Sequence, residues 1–161
     1  MINKKIEEML IEDTSSMIIP AKNTSMVFSD NSLMHAMLIL NNVNYTSIPV
    51  LDYENKFIGL ISNHQIMKFM QDKNPKGFEE LNDYKVSDAI DTRFHTVREN
   101  FSVEEVLGAL VNYNFICIVD DEGTYKGIIT RSTILKRVNY LVHELDKKFF
   151  LEEKVTVLQS S

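Results

Sequence analysis

A cation stands where a helix is expected to begin. Arg131 follows Thr130 and precedes Ser132-Thr133-Ile134-Leu135, a stretch in which Thr130 can cap and the apolar residues keep helical spacing. The first N–H groups of a helix lack intrahelical partners and carry partial positive charge, so they favour an anion. A guanidinium beside them is slightly unfavourable and needs a negative partner. That partner is either a phosphate, gripped through two parallel hydrogen bonds, or a nearby acid such as Asp120 or Asp121. Thr130 and Ser132 add hydroxyls at the same point. Tyr45, followed by Thr46, offers a ring that either stacks on a flat base or packs at a sheet edge. Lys22, within Ala21-Lys22-Asn23-Thr24, is either a phosphate contact or a solvated surface lysine.

Other chemistry finds little support. His35, His64, His95 and His143 have no metal-ligand spacing, and Cys117 lies in an apolar run as a small buried hydrophobe. No nucleophile–base pair, metal set or glycine-rich phosphate loop is evident, so an enzyme is not expected. The chain has 161 residues, 44% of them hydrophobic, enough for a packed core. Seventeen basic against 23 acidic side chains give a net charge of −6. That argues against a broad nucleic-acid or anionic-membrane surface but not against a small anion held by one or two cations. No run of 18 apolar residues is present, and MINKKIEEMLIED lacks the apolar core of a secretory signal. With a single cysteine, a reducing, cytoplasmic setting is the simplest expectation.

The candidate residues sit on a duplicated framework. IPVLDYENKFIGLI at 48–61 matches ICIVDDEGTYKGII at 116–129, 68 positions later. Upstream, Ser32, Met37 and Leu40 match Ser102, Leu107 and Leu110 at a spacing of 70. Each copy reads helix–strand–turn–strand–helix. Ser32 and Ser102 cap the first helices, Asp-Tyr-Glu-Asn and Asp-Asp-Glu-Gly form the turns, and Ser62 and Thr130 cap the second helices. Extended segments are expected at Ser25–Phe28 and Thr96-Val97. The divisions are an N-terminal helix in 1–15 (helical over 2–13), repeat one at 16–71, a polar linker at 72–85, repeat two at 86–140, and a helix extension with tail at 141–161. The last helix is expected from Ser132 to about Phe150, and EEKVTVLQSS is expected to fray.

This pattern resembles the CBS domain, a small β-α-β-β-α module that occurs in pairs. The likeness rests on the duplication, on Tyr-Thr-Ser-Ile-Pro-Val at 45–50 and on the Gly-apolar-apolar-Ser/Thr ends at 59–62 and 127–130. The implied fold is α+β: tandem CBS domains packed through their sheets. Within the family, the chain is most similar to stand-alone CBS proteins that bind cyclic di-AMP, through the short N-terminal helix, Met-Ile…Ala-Lys at 17–22 and Thr-Arg at 130–131. The resemblance implies a nucleotide sensor that signals to a separate protein, such as a (p)ppGpp synthetase-hydrolase or pyruvate carboxylase. It also implies a homodimer, formed through helices whose apolar stripe here runs from Ile134 to Leu145. AMP, ATP or S-adenosylmethionine as ligand, or a structural dimer with empty pockets, remain the alternatives.

A nucleotide needs an apolar slot for adenine and a positive environment for phosphate. By resemblance, Lys22, Asn23 and Thr24 run beside the base, and Tyr45, Thr46, Ile48 and Pro49 build its slot. Thr130, Arg131 and Ser132 then hold phosphate. The family often carries Asp at the fourth position of a Ser/Thr-x-x-Asp pattern, where it binds a ribose diol. Here those positions are Gln65 and Thr133, a departure that favours a cyclic dinucleotide, whose 3′ oxygen is tied into a phosphodiester. Binding is expected in a pocket around the first repeat. Phe115 is expected to fill the weaker second pocket and to matter little for affinity.

Overall fold

The computed structural model describes residues 1–11, 14–74 and 76–154. Helix α1, Lys4–Leu10, is capped by Asn3, whose Oδ1 accepts from the Lys5 N–H at 2.9 Å. A short strand β1, Ile19–Pro20, follows, then a 3-10 turn over Ala21–Asn23 and strand β2, Val27–Phe28. The first repeat continues with α2 (Leu33–Leu40), β3 (Ser47–Leu51), β4 (Phe57–Ser62) and α3 (Asn63–Lys73). Two 3-10 turns, Phe78–Asp83 and Val86–Asp88, lead to the second: β5 (Thr96–Arg98), α4 (Val103–Asn112), β6 (Phe115–Val119), β7 (Tyr125–Thr130) and α5 (Arg131–Lys148).

The local signals operate as their chemistry requires. Each of the four repeat helices opens on a hydroxyl that accepts from the N–H three residues on: Ser32 from His35, Ser62 from Gln65, Ser102 from Glu105 and Thr130 from Thr133. Each hairpin turn is held by an aspartate. Asp52 Oδ1 accepts from Glu54 and Lys56, and Asp120 Oδ1 from Glu122 and Thr124. The positive φ that closes each turn falls on Asn55 and on its counterpart Gly123.

Strands β2, β3 and β4 form one sheet, and β1, β7, β6 and β5 form the other. Each sheet backs onto its own core. Leu33, Ile48, Val50, Ile61 and Ile66 fill the first, and Val97, Val106, Ile116, Ile118 and Ile129 the second. Between the sheets lies a third cluster, with Leu51, Leu60 and Phe57 against Cys117, Tyr125 and Ile128. The hairpin tips also join, through Phe57 N–H to Gly123 O at 3.1 Å and Tyr125 N–H to Asn55 O at 2.9 Å. The expected α+β architecture, two units packed through their sheets, is the one found.

The segments that lead into the repeats cross over. β1 lies at the start of repeat one but pairs antiparallel with β7 of repeat two, Ile19 opposite Ile128 and Pro20 opposite Gly127. Asp91, which leads into repeat two, exchanges backbone hydrogen bonds with Leu60 of β4 at 2.9 and 2.8 Å. The repeated glycines permit this. A Cβ on Gly127 would lie 2.1 Å from the Ile19 carbonyl oxygen, and one on Gly59 would lie 2.6 Å from that of Asp91. Gly127 also has φ +149°, a conformation that L side chains rarely adopt.

Several boundaries differ from expectation. β1 was not anticipated, and the segment 25–28 is a strand only over Val27–Phe28. α5 ends at Lys148, and α1 is shorter than 2–13, with Glu12 and Asp13 outside the described residues. Of EEKVTVLQSS, residues 152–154 have no regular structure and 155–161 lie outside the description.

Candidate functional site

The crossover of β1 brings both repeats to one cleft of about 510 Å³. Asn44, Tyr45 and Thr46, just before β3, line one side. Asn114 and Phe115, Thr130 at the end of β7, Arg131, Ser132 and Thr133 at the start of α5, and Lys136 line the other, and Ile19 of β1 contributes to the wall. The Tyr45 and Phe115 rings meet edge to face, 6.0 Å between centroids at 64°. No carboxylate among the described residues lines this cleft. Four other clefts among the described residues each include at least one acid.

Positive character converges on the opposite side. α5 begins at Arg131, and the positive end of its dipole faces this region; Arg131 N–H donates to Asn114 O at 2.8 Å and Thr133 N–H to Thr130 Oγ1 at 3.1 Å, which leaves the Ser132 N–H for an anion. The Arg131 guanidinium lies alongside the end of α4. Its Nε donates to Leu110 O at 2.9 Å, and Nη2 donates to Tyr113 O at 3.1 Å and to Val111 O at 3.4 Å. These carbonyls belong to the negative end of α4, where a cation is stabilised. The acid expected as the alternative partner is not used. Asp121 accepts from Arg98 at 3.1 Å, and Asp120 pairs with Lys126 at 3.5 Å. Among the described residues Nη1 of Arg131 makes no hydrogen bond, so part of the fork stays open. Lys136, one turn beyond Thr133, is exposed and has no acid partner among the described residues.

Of the residues singled out from the sequence, Tyr45, Thr46, Thr130, Arg131 and Ser132 meet in this cleft. The others do not line it. Ile48 is fully buried in the first core, and Pro49 is buried opposite Leu60. Lys22 and Asn23 are exposed in the turn directly after β1. Thr24 Oγ1 donates to Ala21 O at 2.8 Å, so the 2.9 Å contact with Tyr125 must be donated by the tyrosine. This cleft is therefore lined by both repeats rather than built around the first, and Phe115 lies in it rather than in a separate one. It shares this cleft with Tyr45, because the crossover sets the two repeats face to face.

The pseudo-equivalent cleft differs in charge. It includes Tyr113, the counterpart of Tyr45, with Gln65, Asp91 and Arg93 in a space of about 320 Å³. Arg93 Nε meets Asp91 Oδ1 at 3.1 Å, and Gln65 Nε2 donates to Asp91 Oδ2 at 3.1 Å. The Arg93 hydrogen bonds, foremost the side-chain one, hold the Asp91 carboxyl below its ordinary range. A carboxylate thus lines this cleft and engages its arginine, unlike the first cleft.

The CBS-domain family pattern matches residues 16–72 and 86–140. The chain belongs to the CBS-domain family. Cyclic di-AMP receptor B of Bacillus subtilis is 31% identical over 147 residues, spanning 91% of this chain and 100% of the relative. The CbpB protein of Listeria monocytogenes in complex with c-di-AMP superposes with a TM-score of 0.74 at 35% identity, covering 83% of this chain and 99% of that one. CbpB from Streptococcus agalactiae gives a TM-score of 0.86 at 25% identity, covering 95% and 96%. No helix among the described residues is long and apolar enough to cross a membrane.

Sequence reasoning overlooked Ile19, Asn44, Asn114, Thr133 and Lys136 as lining residues, and Tyr113 in the opposite cleft. Asn114 and Tyr113 were within reach. They stand 68 positions after Thr46 and Tyr45, the spacing that identified the repeat.

Proposed function

We propose that this CBS pair is a regulatory nucleotide sensor that binds cyclic di-AMP in the cleft between Tyr45 and the start of α5. The supporting observation is the pairing of two aromatic rings with the start of α5 and two cations, in a cleft whose lining includes no acid among the described residues. The rings already touch, so an adenine docks against them rather than between them, stacking on the exposed Tyr45. The Ser132 N–H and hydroxyl, at the positive end of the α5 dipole, receive a phosphate. Lys22 and Asn23, just beyond β1, reach the ligand from the rim. The likeness to cyclic di-AMP receptor B and to the CbpB complex supports the same ligand class.

The protein then works as a cytoplasmic two-fold dimer that reports ligand level by associating with a target protein such as a (p)ppGpp synthetase-hydrolase or pyruvate carboxylase. Exposed Leu135 and Val142 on α5 provide apolar surface for such contacts. Calorimetric titration with cyclic di-AMP, AMP, ATP and S-adenosylmethionine tests the ligand. Saturable binding of cyclic di-AMP at the lowest concentration is expected. Preference for AMP or ATP would return the protein to the mononucleotide-binding members, and no binding at all would leave a structural dimer.

A further inference from the structure

We infer that Lys136 meets the second phosphate of a two-phosphate ligand and so sets the preference for a cyclic dinucleotide over a mononucleotide. The inference rests on the nucleotide reading of the cleft. Arg131 is the obvious cation, but its Nε and Nη2 are committed to three carbonyls at the end of α4. Removing them would leave that helix end unpaired, so only the Nη1 edge is free to turn to a ligand. Lys136 carries no such commitment: it lines the same cleft, is exposed and has no acid partner among the described residues.

Position separates the two charges. At a rise of about 1.5 Å per residue, Lys136 lies about 7.5 Å further along α5 than Arg131. Helix side chains lean back toward the N-terminus, which carries the Lys136 stem over the first turn and toward the opening. One phosphate is served by the Ser132 N–H at the start of α5 and by the open Nη1 edge of Arg131, since the Arg131 and Thr133 N–H groups are bonded to Asn114 O and Thr130 Oγ1. A second, held on the far side of the same macrocycle, falls outside the first turn, where the field of the helix end has decayed. Lys136 is the cleft's remaining source of positive charge there. AMP, with a single phosphate, has no second one to place against it.

Titration of cyclic di-AMP, AMP and adenosine into the full chain and its Lys136→Met and Lys136→Arg variants tests this, at two salt concentrations. Lys136→Met should weaken cyclic di-AMP binding by about tenfold or more, as for a lost charge-assisted hydrogen bond. It should also flatten the salt dependence of that binding. AMP and adenosine affinities should change by less than about threefold, and Lys136→Arg should retain most of the cyclic di-AMP affinity, since the inference requires charge. The thermal midpoint should not move, because the side chain is exposed and makes no intramolecular bond among the described residues. No binding of cyclic di-AMP by the unsubstituted protein overturns the reading of the cleft and this inference with it. Tight binding that Lys136→Met leaves unchanged overturns the inference alone, as do equal losses for AMP and cyclic di-AMP.

Discussion

Gly127→Ala isolates the contact that joins the two repeats at the cleft. Gly127 lies in β7 at φ +149°, opposite Pro20 of β1. An alanine there incurs backbone strain of about 1–3 kcal/mol. Its Cβ would also stand 2.1 Å from the Ile19 carbonyl oxygen, so β1 must retreat by about an ångström to reach ordinary contact. β1 is tethered to Met17, which is 1% exposed in the second core. A shift that loosened Met17 would forfeit part of the roughly 1.5–3 kcal/mol its burial provides. The expected cost is therefore about 2–5 kcal/mol, a large share of a typical stability of about 5–15 kcal/mol. At about 2–4 °C per kcal/mol, the melting midpoint falls by roughly 4–20 °C. Gly59→Ala is the milder partner. Its Cβ meets Asp91 O at 2.6 Å, without the positive φ, and should cost less. Gly108→Ala is the control. Nothing lies within 4 Å of its Cβ, and alanine in α4 should stabilise by about 0.5–1 kcal/mol. Urea unfolding of the three variants gives the comparison, and calorimetry adds a functional readout, since Ile19 walls the cleft. Nucleotide affinity should fall more for Gly127→Ala than for Gly59→Ala. A Gly127→Ala protein as stable as the unsubstituted chain would refute the crossover as a structural requirement.

Other outcomes follow from the same geometry. Tyr45→Ala should weaken nucleotide binding by about tenfold or more, as for a lost stacking contact of roughly 1–3 kcal/mol. Phe115→Ala should weaken it too, because its ring faces the same cleft at 6.0 Å from Tyr45; full affinity in that variant would exclude Phe115 from the site. Arg131→Met should lower cyclic di-AMP affinity at least tenfold and also destabilise the fold by about 1–3 kcal/mol, since three α4 carbonyls lose a charged donor. Arg131→Lys should restore only part of both, since an ammonium lacks the planar fork. Loss of affinity with unchanged urea stability would show that the α4 contacts contribute little. Cys117 is buried, and burial pushes its thiol far above the ordinary range, so an alkylating reagent at mildly alkaline pH should spare it until urea unfolds the chain. Rapid modification of the native protein would contradict its place between the sheets.

Local information along this chain determined its elements. The caps at Ser32, Ser62, Ser102 and Thr130 and the aspartate turns at Asp52 and Asp120 act within three or four residues of themselves. The apolar runs of β3, β4, β6 and β7 are bounded by those same signals. Duplication at a spacing of 68 then made the pairing of the sheets legible, because each copy must bury one face of its sheet against something. The site was legible only in part. Arg131, Thr130, Ser132, Tyr45 and Thr46 could be selected by type and position, but not the company they keep. Tertiary structure alone decided that Arg131 turns to the end of α4 rather than to Asp120 or Asp121, and that Ile48 and Pro49 face inward. It alone placed Phe115 beside Tyr45, 70 residues away, and sent β1 across to β7. A two-residue strand such as Ile19–Pro20 has no periodicity to read. It forms because Gly127 leaves room for its backbone and β7 has an open edge to pair with, and both conditions exist only once the two repeats have come together.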